Sequence, residues 1–174
     1  MMNLFSSNKM NIYIGIFAVI ILTLFNLSPC INNGFTNWDD DVYVINNIHI
    51  RSLSPGNIST IFSSFYYDGY IPLTIISFAI NYFFSQNTAS AYHLTNLIIH
   101  LLNCLLVFWF IFLLTKKIPV AIITSLFFGI HPLHVESVAW ITERKDMLYA
   151  LFYLASTISY IYYLQKKTKK SLFL

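Results

Sequence analysis

The sequence predicts an all-α integral membrane protein, on three observations: few charges, apolar runs of span length, and charge sorted between the two ends of those runs. Of the 174 residues, 57% are hydrophobic and only 10% charged, with mean hydropathy +0.64. A soluble domain carries roughly a quarter charged residues, so a solvated globular surface cannot be built from this composition. The aromatic share is 18%, with 16 Phe and 12 Tyr, which suits a chain living in lipid and at its interfaces. A nucleic-acid partner is not expected.

About 20 consecutive apolar residues make one helical crossing, and four candidates are visible in one membrane domain covering residues 1–174. The first, residues 11–29, follows Lys9 and stops at Pro29. The second, 92–114, is closed by Lys116 and Lys117. The third, 118–134, is apolar from Pro119 to Ile130 and is the shortest. The fourth, 147–164, ends at Lys166, Lys167, Lys169 and Lys170. A further apolar stretch, Pro72 to Phe84, is too short to cross about 30 Å of hydrocarbon. It reads as an interfacial or re-entrant helix. Making it a span would also flip both downstream lysine clusters outward.

Lys and Arg accumulate on the cytoplasmic side of short loops, which places the N-terminus, Lys116–Lys117 and the C-terminal lysines inside. Seven basic residues then face the cytoplasm, while Arg51, Arg144 and Lys145 lie outside with all seven acids. The external face carries −4 and the internal face +7, which add to the net +3. A bacterial inner membrane is the expected location, with the acidic loops periplasmic; an endoplasmic reticulum membrane is the alternative. The first run is longer than a signal-peptide core, and no small-x-small cleavage site follows it. Leu27-Ser28-Pro29-Cys30 is a poor lipidation box, because Pro29 sits where a small residue is needed. Cys104 lies mid-span, so no disulfide with Cys30 is expected.

The external loop, 30–91, begins with Asn-, Gly- and Asp-rich chain that reads as irregular. Ser54-Pro55 then has the form of a helix cap followed by proline in the first turn. Ile58, Ile61, Phe62 and Phe65 form an apolar stripe behind it, opposite Ser59, Thr60, Ser63 and Ser64. Such a helix should lie on the membrane surface.

Four features could carry chemistry. Asn37-Trp38-Asp39-Asp40-Asp41-Val42-Tyr43 sets three carboxylates side by side. One could act as a general base, or Asp39 and Asp41 could hold a divalent cation through oxygen; the plain reading is a solvated acidic turn. His131-Pro132-Leu133-His134-Val135-Glu136 could ligate a metal, although Pro132 disturbs the helical spacing and a polar network at an interfacial elbow is favoured. Arg144 and Lys145, beside Glu143 and Asp146, form the one external basic pair and suit an anionic phosphate. Lastly, His93, Asn96, His100 and Asn103 lie in one narrow arc of the second span. They face other helices or a cavity rather than lipid, with interhelical hydrogen bonding preferred for Asn103. The tyrosine stripe Tyr149, Tyr153, Ser156, Tyr160 and Tyr163 reads as packing.

Taken together, these motifs resemble the transmembrane O-mannosyltransferase-like membrane proteins of GT-C type, whose bacterial members often carry C-terminal tetratricopeptide repeats. Four ordered motifs carry the resemblance across about residues 35–164. They are Trp38-Asp39-Asp40-Asp41 with Asn46-Asn47; Tyr70-Ile71-Pro72-Leu73-Thr74; Tyr92-His93-Leu94-Thr95-Asn96 with His100; and the run from His131 to Trp140 with Glu143-Arg144-Lys145-Asp146. The resemblance implies transfer of a sugar, a hexose such as mannose, from a polyprenyl-phosphate donor to a protein or glycan hydroxyl on the external face. Asp39 and Asp40 would carry catalysis, and Arg144 and Lys145 would meet the leaving phosphate. His93, His131, His134, Glu136 and Asp146 would line the pocket, and a divalent cation is an open possibility. Ile71 stands where many relatives have a basic or large polar residue.

Such relatives also have many more spans. The 174-residue chain is therefore expected to be an N-terminal part, inactive alone or completed by a partner that supplies the missing helices. Sugar transfer by the purified chain would overturn that expectation. Two other readings stand beside the enzyme: a non-catalytic membrane anchor or scaffold, and a small transporter subunit using the His/Asn stripe as a polar path.

Overall fold

A computed structural model describes residues 2–66 and 69–166, and side chains over 10–66 and 69–165. Asp68, Lys167, Lys169 and Lys170, and the side chains of Lys9 and Lys166, used in the charge count, lie outside the described residues. Among the described residues the chain is all helical, without a β-strand beyond an isolated bridge between Tyr66 and Gly69. The helices are α1 (Met2–Leu27), α2 (Pro55–Ser63), α3 (Pro72–Ser85), α4 (Ala89–Thr115), α5 (Ile118–Ile130), α6 (His134–Ala139) and α7 (Arg144–Lys166). Three helical stretches are long and apolar enough to cross a membrane: Met10–Asn32, Ala89–Thr115 and Ile141–Gln165. Pro72–Ser85 and Ile118–Ile130 are apolar but shorter. Each of these two begins with proline in its first turn, where the missing N–H costs nothing.

Close contacts set the directions of the long helices. Ser125 donates to the Cys104 carbonyl and His100 meets the Gly129 carbonyl, so α4 and α5 are antiparallel. Asn103 donates to the Met147 carbonyl, and Trp109 to the Tyr162 hydroxyl, so α7 runs parallel to α4. The described acids at 39–41, 136, 143 and 146 therefore gather at the end where α4 and α7 begin. Lys116 and Lys117 stand at the other end.

Small residues let α1 reach α5. A Cβ placed on Gly129 would lie 2.3 Å from Thr23 Oγ1 and 3.1 Å from Cys104 Sγ, so three helices meet over a position with room only for hydrogen. Lipid tails are as apolar as leucine, and such close approach is what drives association of membrane helices. Gly129→Val is expected to destabilise the bundle by about 1–3 kcal/mol. It should appear as a lower melting temperature in detergent by fluorescence-detected size exclusion, and an unchanged melt would argue against this contact.

The 30–91 segment folds more fully than its composition suggests. Val44, Ile50, Ile61, Ile75 and Phe78 are completely buried together with Tyr92 and Ile141. The stretch expected to be irregular contains a π-helical turn, Asp41–Ile45, and a 3-10 turn, Ile48–Arg51. The local cues are weak because the order comes from apolar residues that meet only across the fold. α2 starts as its sequence indicates, with Pro55 in the first turn and Ser54 accepting from the Asn57 amide. Its Ile61 is buried, whereas Phe62 and, beyond the end of the helix, Phe65 remain exposed.

Candidate active site

Three straps hold the 30–91 segment over the start of α4 and α7. The His93 ring meets the Gly34 carbonyl at 3.3 Å, and Phe35 packs edge-on against Tyr92. Within the segment, Arg51 donates to the Asn87 side chain and the Ile45 carbonyl, with its guanidinium over the Tyr82 ring. The third strap is Asp40. It is fully buried, accepting from the Thr36 amide (2.9 Å) and hydroxyl (3.1 Å) through one oxygen and from the Thr142 amide (3.2 Å) through the other. Residues 102 positions apart are thus tied by one carboxylate.

Arg144 is the largest fully buried side chain. Its Nε donates to Asn96 Oδ1 (2.7 Å), one terminal nitrogen to Asn81 Oδ1 (2.6 Å) and Ser77 Oγ (3.2 Å), and the other to the Tyr92 carbonyl (3.0 Å). Phe78 lies beneath the guanidinium at 4.6 Å. A charge removed from water needs its donors satisfied, and here neutral oxygens of α3 and α4 do that. Only the planar five-donor fork of arginine could serve so many directions. In this arrangement the guanidinium presents no face to a phosphate, contrary to its sequence-level assignment.

Lys145, one residue on, is instead half-exposed. Its Nζ pairs with Glu143 at 2.9 Å, and the charges of Asp39 and Asp146 act on it. Asp39 and Asp41 are half-exposed, beside the exposed Trp38. The site therefore brings together Asp39, Glu143 and Lys145, with Asp40 and Arg144 as buried supports.

Beside Lys145 lies a groove of about 600 Å³ between the start of α3 and the outer face of α7. Tyr70, Pro72 and Thr74 line one wall, and Tyr149, Tyr153 and Ser156 the other. Half of the tyrosine stripe is thus a groove wall rather than packing. Sequence reasoning missed this because nothing local says that α3 stops short of closing over α7.

The remaining sequence candidates lie elsewhere. His134 is bound through Nδ1 to the Phe128 carbonyl at 2.7 Å, while His131 and Glu136 are exposed. His131, His134 and Glu136 thus belong to the α5–α6 elbow and not to the Asp39–Lys145 cluster. Among the described residues, no group of three or more His, Cys, Asp or Glu side chains is arranged to hold a metal ion. The polar stripe on α4 works as glue: His93, Asn96, His100 and Asn103 each bond to backbone carbonyls of other segments. Asn96 also holds Arg144, a pivotal role that the stripe alone did not single out.

Several known proteins are similar to this chain. Human protein O-mannosyl-transferase TMTC3 is 36% identical over 95 residues, 52% of this chain and 10% of its own length. Mouse protein O-mannosyl-transferase TMTC1 is 31% identical over 135 residues, 70% of this chain and 14% of its own. A Caenorhabditis elegans protein O-mannosyl-transferase is 29% identical over 167 residues, 84% and 23% respectively. The chain belongs to the O-mannosyltransferase-like membrane family. With three span-length helices it is an integral membrane member of that family. It spans between about a tenth and a quarter of the length of these relatives. No family model matches the chain, and no solved structure matches it.

Proposed function

We propose that this chain is the N-terminal part of a polytopic membrane glycosyltransferase that moves a hexose such as mannose from a polyprenyl-phosphate donor to an acceptor hydroxyl at the external face. The observation that carries the reading is the groove that Lys145 lines, with the Asp39 charge acting on that lysine. It offers a largely apolar trough, a cation and a nearby carboxylate. The names of the relatives point the same way, as protein O-mannosyl-transferases.

In the proposed reaction Asp39 takes the proton of the acceptor hydroxyl as its oxygen attacks the anomeric carbon. The bond from that carbon to the phosphate oxygen breaks with inversion, and the polyprenyl phosphate leaves with the electron pair. Lys145 offsets the charge gathering on the phosphate, where a preplaced cation stabilises the transition state more than the ground state. Asp40 and Arg144 hold the two arms of the site in register. The prenyl tail lies along Tyr149, Tyr153 and Ser156. Because membrane lipid is equally apolar, the groove positions the tail and the phosphate supplies the affinity.

Two tests follow from this arrangement in protein carrying these residues. Ser156→Trp fills the groove, and KM for a long-chain polyprenyl-phosphate mannose should rise roughly tenfold, about 1.4 kcal/mol. A short-chain donor should be affected much less, and equal effects on both would remove the tail from the groove. Lys145→Met should weaken donor use by about tenfold to a hundredfold, the loss of one charge-assisted hydrogen bond.

A further inference from the structure

A second cavity, of about 400 Å³, lies among α4, the end of α5, α6 and α7. Its polar lining is His100, Asn103, His134, Ser137, Asp146 and the Tyr149 hydroxyl, and hydrogen bonds already made determine much of what that lining can offer. His100 Nε2 meets the Gly129 carbonyl at 3.1 Å. A carbonyl only accepts, so Nε2 carries the hydrogen and the neutral ring keeps a lone pair on Nδ1. His134 Nδ1 meets the Phe128 carbonyl at 2.7 Å, which leaves its lone pair on Nε2 by the same logic. Asn103 commits its amide nitrogen to the Met147 carbonyl at 2.9 Å. Its Oδ1 is buried with no partner among the described residues, and the residue is only 1% exposed. The Asp146 carboxylate at the mouth also only accepts when ionised.

The lining is thus two imidazole lone pairs, an amide oxygen and a carboxylate, with the Ser137 and Tyr149 hydroxyls able to donate or accept. A phosphate or carboxylate ligand would meet mostly acceptors and no cation among the lining residues. The volume is that of a small-ligand site, and no metal-holding group of three ligands is present among the described residues. Lys145, the neighbouring cation on α7, pairs with Glu143 and lines the other groove, so it reaches Asp146 only through its charge.

We propose that this cavity binds a primary ammonium group, which has N–H donors only and a charge for Asp146. The site stands apart from the sugar-transfer reading and needs no catalysis to be tested. The cavity wall includes Met147 and Ala150, which suits an ammonium carried on an alkyl or lipid stem such as an ethanolamine headgroup. A free amine shares the chemistry.

The experiment reconstitutes the chain in nanodiscs of mixed phosphatidylethanolamine and phosphatidylcholine, whose headgroups differ in N–H donors, and counts retained lipids by native mass spectrometry. Retention of phosphatidylethanolamine over phosphatidylcholine by about tenfold is expected. It should fall to near parity in Asp146→Asn, which lies on the exposed rim, and in His134→Phe, which keeps an aromatic ring against Phe128. Parity between the lipids together with saturable binding of free ethanolamine, lost in either variant, would assign the site to a free amine. Neither selectivity nor ethanolamine binding, or selectivity unchanged in both variants, overturns the proposal.

Discussion

Arg144→Ala is expected to leave little folded protein. The substitution strips partners from Asn96 Oδ1 and Asn81 Oδ1 at once, while the Tyr92 carbonyl keeps its helical bond within α4. Each acceptor left unpaired inside the fold costs about 1–3 kcal/mol and the emptied space adds a cavity cost, so the total is at least about 3 kcal/mol. That is a large part of the stability of most domains. The loss should appear as aggregation in detergent rather than as a catalytic defect. Arg144→Lys should recover only part of it, because an ammonium is a point donor and cannot serve the acceptors of α3 and α4 in several directions together. Asn96→Leu should reproduce the defect, and the double variant should lose less than the sum, since both remove one network. Arg144→Ala that melts like the parent but has lost affinity for the polyprenyl-phosphate donor would reverse the assignment and return Arg144 to the phosphate.

Asp39→Asn should be the opposite kind of variant. It changes a half-exposed carboxylate that accepts no side-chain hydrogen bond among the described residues, so the fold should persist with a parental melting temperature. Sugar transfer by protein carrying these residues should fall by about 10²–10⁴-fold, the usual contribution of a general base. Asp40→Asn serves as the comparison. An amide there offers one acceptor where the buried carboxylate offers two, while Thr36 and Thr142 supply donors to both of its oxygens. Its main effect should therefore be on stability. Full transfer activity in Asp39→Asn would remove the base from this residue, and the proposed reaction with it.

The membrane class was legible from composition, because hydropathy is a local and nearly additive property. The positions of the long helices were legible for the same reason. So was the gathering of the described acids at one end of the bundle, since Lys116–Lys117 and the acidic motifs are read directly off the chain. The cap and proline that start α2 were equally local signals. The core beneath Asp39–Asp41 was not, because Val44, Ile50, Ile75, Phe78 and Ile141 meet only after the chain has turned several times.

Roles within the site depended on tertiary structure most of all. Arg144 and Lys145 are neighbours of like charge, and Asp39 and Asp40 are neighbours of identical chemistry. Successive residues on a helical turn point about 100° apart. A choice of which member faces inward therefore separates a buried support from a reactive group. Sequence determined that two neighbouring cations and two neighbouring carboxylates flank the apolar helices. Which way each turns was decided by Asn81, Asn96, Tyr92 and Thr142, acceptors and donors brought from distant segments to whichever charge the fold enclosed, with Thr36 adding a local hold on Asp40.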